Sequence, residues 1–102
     1  LNGFRIELGD ITAQMLVVPG VADAIAVPLK SGETVKRIVG FVRPAPGAEQ
    51  EGLIEAINAQ LRLALPAYMV PADLMLVDVF PVNNSHKTDR KALIELYMAR
   101  PR

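Results

Sequence analysis

The chain has 102 residues, enough for one small domain built on a single core. At 51% hydrophobic and 22% charged it has the composition of a globular fold and is too apolar for disorder. Its 11 basic and 11 acidic residues cancel to a formal net charge of +0, and no long run of like charge marks a nucleic-acid surface. The absence of Cys excludes a disulfide scaffold and thiolate metal sites, fits a reducing compartment and makes a cytoplasmic location the expectation. Pro19, Pro28, Pro44, Pro66, Pro71 and Pro81 interrupt the hydrophobic stretches before any reaches membrane-spanning length. The first residues lack the basic and apolar regions of a signal peptide. With no initiator Met and an opening that reads as the middle of a motif, the chain is expected to be a trimmed subdomain of a longer one.

In chain order, Phe4, Ile6 and Leu8 alternate with Arg5 and Glu7, a short strand pattern that follows a Gly turn and forms part of an N-terminal hairpin. Ile11, Met15 and Val18 have the spacing of a short helix, which Pro19-Gly20 ends. Residues 21–29 and 35–42 read as two strands of an antiparallel hairpin, joined by the polar turn Lys30-Ser31-Gly32-Glu33-Thr34. Gly40 marks either a bulge or a close packing point, and Arg43 to Gly47 is a loop.

Between Ala48 and Leu65, the positions Leu53, Ile54, Ile57, Leu61, Ala64 and Leu65 follow the helix period. Glu residues cluster in its first turns, where they favour the helix dipole. This helix faces the core rather than a membrane or a partner groove. The two prolines of Leu65-Pro66-Ala67-Tyr68-Met69-Val70-Pro71 fix an extended connection, anchored by Tyr68 and Met69. Residues 72–80 are apolar except for Asp73 and Asp78, the pattern of a strand buried on both faces. A closing helix runs from about Asp89 to Ala99. Helices covering a small, mostly antiparallel sheet of about three strands plus the N-terminal hairpin give an α+β fold.

The segment from Phe80 to Leu93 carries most of the functional information. Asn83, Asn84 and Ser85 are loop formers, and Thr88 or Asp89 can cap the helix that Leu93, Leu96 and Tyr97 continue. Lys87 therefore sits on a short loop between two rigid elements, where its ammonium can be aimed at an anion. On physics alone such a lysine is an ordinary solvated charge. With one His, no Cys and no HExxH spacing, neither a nucleophile triad nor a metal site has support. His86 beside Lys87 reads as a bland loop residue before it reads as a general base.

Three stretches together resemble the C-terminal subdomain of the adenylate-forming superfamily, which includes nonribosomal-peptide adenylation domains, acyl-CoA synthetases and D-alanine–carrier-protein ligases. Pro81, Lys87, Asp89, Arg90 and Leu93 fall on its pattern P-x-x-x-N-G-K-x-D-R-x-x-L. Ser85 stands where Asn is usual and His86 where Gly is usual, a position at which Gly serves a backbone needing positive φ. Residues 1–11 resemble G-F-R-I-E-L-G-E-I-E, with Asp10 replacing Glu, and residues 65–71 repeat L-P-x-Y-M-x-P without a departure.

The resemblance covers essentially residues 1–102 and implies the same fold. It also implies a mobile lid on a large N-terminal adenylation subdomain of the same chain, which would hold most of the ATP, the Mg²⁺ and the acyl pocket. In such enzymes a carboxylate attacks the α-phosphate of ATP to give an acyl-adenylate, and a thiol then takes the acyl group. The resemblance makes Lys87 the catalytic residue of the first step and places Gly3 and Phe4 along the thiol tunnel in the second. It assigns Arg5, Glu7, Asp89 and Arg90 to positioning. The thiol would belong to the phosphopantetheine of a peptidyl or acyl carrier protein or, alternatively, to CoA. A non-catalytic interaction module retaining the fold is the remaining reading. The wording L-P-x-Y-M-x-P and K-x-D-R-x-x-L favours an amino-acid-adenylating synthetase of the kind used in antibiotic biosynthesis, while the activated acid itself is not legible.

Overall fold

Alternating apolar residues fold the centre of the chain into a long antiparallel hairpin, seen in a computed structural model that describes residues 7–32 and 34–100. Strand β1 (Val21–Ser31) pairs with β2 (Thr34–Pro44) from Val21 opposite Pro44 to Ser31 opposite Thr34. Gly32, at φ +63°, lies in the tight turn, where a two-residue hairpin favours a left-handed backbone. A third strand, β3 (Asp73–Leu76), pairs parallel with β2, so the order is β1-β2-β3 with β2 central. Pro28 is tolerated because β1 is an edge strand with one unpaired side. Part of that open edge is blunted from above: the Ala26 N–H donates to Thr12 Oγ1 at 3.2 Å.

Helices α1 (Leu8–Leu16) and α2 (Leu53–Ala64) cover one face of the sheet, and α3 (Arg90–Ala99) covers the other. The period of two along the strands sorts their residues between the two cores. Ala24, Ala26, Ile38 and Val42 face α1 and α2, meeting Ile11, Met15, Ile57 and Leu61. Val27, Val39 and Phe41 face α3, meeting Leu93 and Tyr97. A register shift between Val21 and Asp23 brings Val21 to the α1 side despite its odd number. Gly40 lies in unbroken register, so it marks close packing and not a bulge. A Cβ there would stand 2.6 Å from Leu74 Cδ2 and 2.9 Å from Met15 Sδ.

The α+β class, the central hairpin and the closing helix are as the sequence implies, except that the hairpin strands run on through Lys30, Ser31, Thr34, Arg43 and Pro44, into the expected turn and loop. Four further local expectations are corrected. Leu8 opens α1 and does not end a strand, while the rest of the expected N-terminal hairpin falls on residues 1–6, outside the described residues. Helix α2 starts at Leu53, later than Ala48, because Gly47 at φ +77° and Gly52 at φ +81° hold the approach in turns. Only Glu55 is therefore acidic in its first turn. The 65–71 connection is not fully extended: Ala67–Met69 makes one 3₁₀ turn that buries Met69. The apolar run 72–80 yields only four strand residues, all half-buried, instead of a strand buried on both faces. Backbone bonds from Ala72 N–H to the Ile38 carbonyl and from Val77 N–H to the Val42 carbonyl (2.9 and 2.8 Å) bracket the pairing. Beyond them the chain bends and leaves Val79 76% exposed.

Candidate functional site

After β3 the chain reverses in a second, much smaller hairpin. Val82 and Thr88 form an isolated antiparallel bridge. Outside it the Asp89 N–H donates to the Pro81 carbonyl at 2.8 Å, and inside it the Asn83 N–H donates to the Lys87 carbonyl at 2.8 Å. The His86 N–H donates to the Asn83 carbonyl at 3.0 Å. This is the bonding of a three-residue hairpin loop that closes through a left-handed residue. His86 is that residue, at φ +62°, and no other described non-glycine residue has a positive φ. His86 stands where the resembled pattern has Gly, and histidine is one of the residue types enriched in the left-handed region.

The Asn83 side chain ties the loop from within. Its Oδ1 accepts from the Ser85 N–H at 2.8 Å and from the Lys87 N–H at 3.2 Å. Asp89 caps α3, its Oδ1 accepting from the Ala92 N–H at 3.0 Å, whereas Thr88 serves the bridge. Of the two capping candidates, the structure selects Asp89.

Lys87 projects from this frame exposed, and among the described residues its ammonium has no ion-pair or side-chain hydrogen-bond partner. Together with Asn83, Thr88, Asp89, Arg90 and Ile25 it lines an open cleft of about 550 Å³. Lys87, Asp89 and Arg90 are therefore brought together. Glu7 is not: it occupies the N-cap position of α1, on the face of the sheet opposite α3. Gly3, Phe4 and Arg5 lie outside the described residues. Beside the hairpin, Val79, Val82 and Leu96 are 44–76% exposed, and a second open cleft is lined by Val79, Pro81, Ala92, Glu95, Leu96 and Ala99.

Two features escaped the sequence reading. One is the organising role of Asn83, which was legible only as a loop former. The other is a polar cluster holding α3 to the sheet edge. The Tyr97 hydroxyl donates to Asp73 and accepts from Arg37 Nη1 at 3.1 Å. Both Arg37 and Arg100 stand 3.6 Å from Asp73 Oδ2. Arg100 also lies 3.8 Å over the Tyr97 ring and donates to the Tyr97 carbonyl at 2.7 Å. Asp73, a charge inside an apolar run, was its one signal. Among the described residues, no group of three His, Asp or Glu side chains is placed to hold a metal ion, and no helix is long and apolar enough to cross a membrane.

The described residues thus form a three-layer subdomain that presents Lys87 on a hairpin beside α3. The chain matches the AMP-binding enzyme C-terminal domain over residues 11–87 and belongs to that family. It is 38% identical over 93 residues to malpibaldin synthetase of Mortierella alpina, covering 91% of this chain and 2% of that protein. Among solved structures it resembles a four-domain nonribosomal peptide synthetase bound to AMP and glycine. That match has a TM-score of 0.71 and 36% identity, and covers 88% of this chain and 6% of the other. The acyl-CoA synthetase of Brucella canis superposes with a TM-score of 0.74 at 27% identity, over 96% of this chain and 19% of that one. The chain thus spans a small fraction of the length of each.

Proposed function

We propose that residues 1–102 form the mobile lid of an ATP-dependent adenylating enzyme and that Lys87 is its catalytic contribution. The observation that carries this reading is the unpartnered Lys87 ammonium, exposed on a hairpin anchored at both ends and facing an open cleft. A lysine fixed only through its backbone is free to engage a phosphoryl charge that another domain brings to it. In the first step a substrate carboxylate oxygen attacks the α-phosphorus of ATP, and the bond to pyrophosphate breaks. Lys87 offsets negative charge on the carboxylate and phosphate oxygens as that transition state forms. In the second step a thiolate attacks the acyl carbon and AMP leaves. The lid must then have swung the lysine away, and Gly3 and Phe4 line the thiol's path.

The resemblance puts the nucleotide cradle and most of the contacts to ATP and any Mg²⁺ in the large N-terminal subdomain, with Lys87 supplied from the lid. The exposed apolar side chains next to the hairpin suit a surface that this subdomain covers in part. A carrier-protein phosphopantetheine is the favoured acceptor because the nonribosomal peptide synthetase shares 36% identity with this chain, against 27% for the acyl-CoA synthetase. CoA is the second reading, favoured by the acyl-CoA synthetase likeness.

The test is to measure the two half-reactions separately in the complete enzyme. Lys87→Ala lowers carboxylate-dependent ATP–pyrophosphate exchange by on the order of 10²–10³, while thiol transfer from a supplied acyl-adenylate is nearly unchanged. Equal losses in both steps refute the division of labour, and full activity returns Lys87 to the solvated surface.

A further inference from the structure

We infer that Asn83 is the positioning residue for Lys87, an assignment that rests on the catalytic reading of Lys87 given above. Four hydrogen bonds converge on Asn83. Its N–H and Oδ1 engage the Lys87 carbonyl and N–H, at 2.8 and 3.2 Å, and so hold both ends of that residue's backbone. Its Oδ1 also takes the Ser85 N–H at 2.8 Å, and its carbonyl takes the His86 N–H at 3.0 Å. Lys87 receives no side-chain support among the described residues. The origin of its four-carbon arm is therefore set by the backbone of one exposed loop, and by Asn83 above any other residue.

The arrangement has a second requirement. His86 occupies the left-handed position at φ +62°, where an L side chain is disfavoured and the backbone would relax if released. The Oδ1 bonds span this residue from Ser85 to Lys87 and hold it in place. A glycine at that position needs no such restraint. Ser85-His86 in place of Asn-Gly thus makes this hairpin more dependent on the residue at 83. Displacing a charged group by about an ångström costs up to 10²-fold in rate, so loss of the Asn83 side chain is expected to act on adenylation through the placement of Lys87.

The experiment uses the complete enzyme with the proteinogenic amino acid that gives the highest ATP–pyrophosphate exchange, together with hydrogen–deuterium exchange over the peptide spanning residues 80–89. Asn83→Ala is expected to lower kcat for exchange roughly tenfold with the KM for ATP held, and to speed deuterium uptake in that peptide. Asn83→Ser, whose hydroxyl can accept in the same kind of turn, recovers most of the rate. In a Lys87→Ala background Asn83→Ala adds no further loss, because the residue acts through Lys87. An additive loss in the double variant, or Asn83→Ala with unaltered exchange and deuterium uptake, overturns the positioning role even where Lys87→Ala is crippled. Full activity of Lys87→Ala instead overturns the catalytic reading beneath it.

Discussion

Replacing Asp89 by Ala removes the one side chain that closes the N-terminus of α3. Its Oδ1 accepts the Ala92 N–H at 3.0 Å, and that bond is lost, whereas the bond from its own N–H to the Pro81 carbonyl survives. Loss of such a cap costs about 0.5–2 kcal/mol. The first turn of α3 carries Arg90 and Lys91 and no acidic residue, so the variant also removes the anion facing the helix dipole. That adds about 0.3–1 kcal/mol for a half-buried group near the surface. The helix does not detach, because Leu93 and Tyr97 stay buried against Val39 and Phe41. The expected total is about 1–2 kcal/mol, which in a domain of this size lowers the midpoint of thermal unfolding by roughly 5–15 °C. Asp89→Asn keeps an equivalent acceptor and loses only the charge, so it costs about 0.3–1 kcal/mol. Thermal and urea unfolding of the 102-residue chain, read by circular dichroism, separate the two variants. Equal damage from Asn and Ala removes the hydrogen-bonded cap from the explanation. An Ala variant as stable as the parent refutes it altogether.

At His86, Val is expected to lower stability by about 1–2 kcal/mol, because a β-branched side chain resists the left-handed backbone. Gly is expected to be at least neutral there, and urea midpoints decide between a constrained and a relaxed loop. Gly40→Val is expected to cost about 1–3 kcal/mol, since even a Cβ at this position closes to 2.6 Å on Leu74 and 2.9 Å on Met15. A Gly40→Val variant that melts with the parent shows that the two side chains give way freely.

Much of the fold was legible in local pattern. The alternation in residues 21–44 and the helix period in residues 53–65 report the face that each residue turns to the core, and side-chain period follows from backbone geometry alone. The loop that carries Lys87 was legible for a different reason: its hairpin is built almost wholly from contacts within ten residues, so its polar loop formers and its cap stand next to one another in the chain. Even the requirement for a positive φ at His86 was signalled by the Gly usual in the motif.

What the sequence could not settle was long-range partnership. The apolar run 72–80 became a short strand because its ladder on β2 spans only Asp73–Leu76, bracketed by the bonds of Ala72 and Val77, after which the chain bends and exposes Asp78 and Val79. Composition alone cannot tell a strand flanked by two sheets' worth of contacts from one at an edge. The cluster of Asp73, Arg37, Tyr97 and Arg100 likewise joins residues up to 60 positions apart. By itself the sequence determined the core faces of β1, β2, α2 and α3 and the short loop that carries Lys87, because both depend on backbone periodicity and on turn and capping residues that are near neighbours in the chain. Only the tertiary structure decided where β3 ends, that α3 lies opposite α1, and that Glu7 is kept apart from Lys87, because those outcomes depend on which buried surfaces fit together.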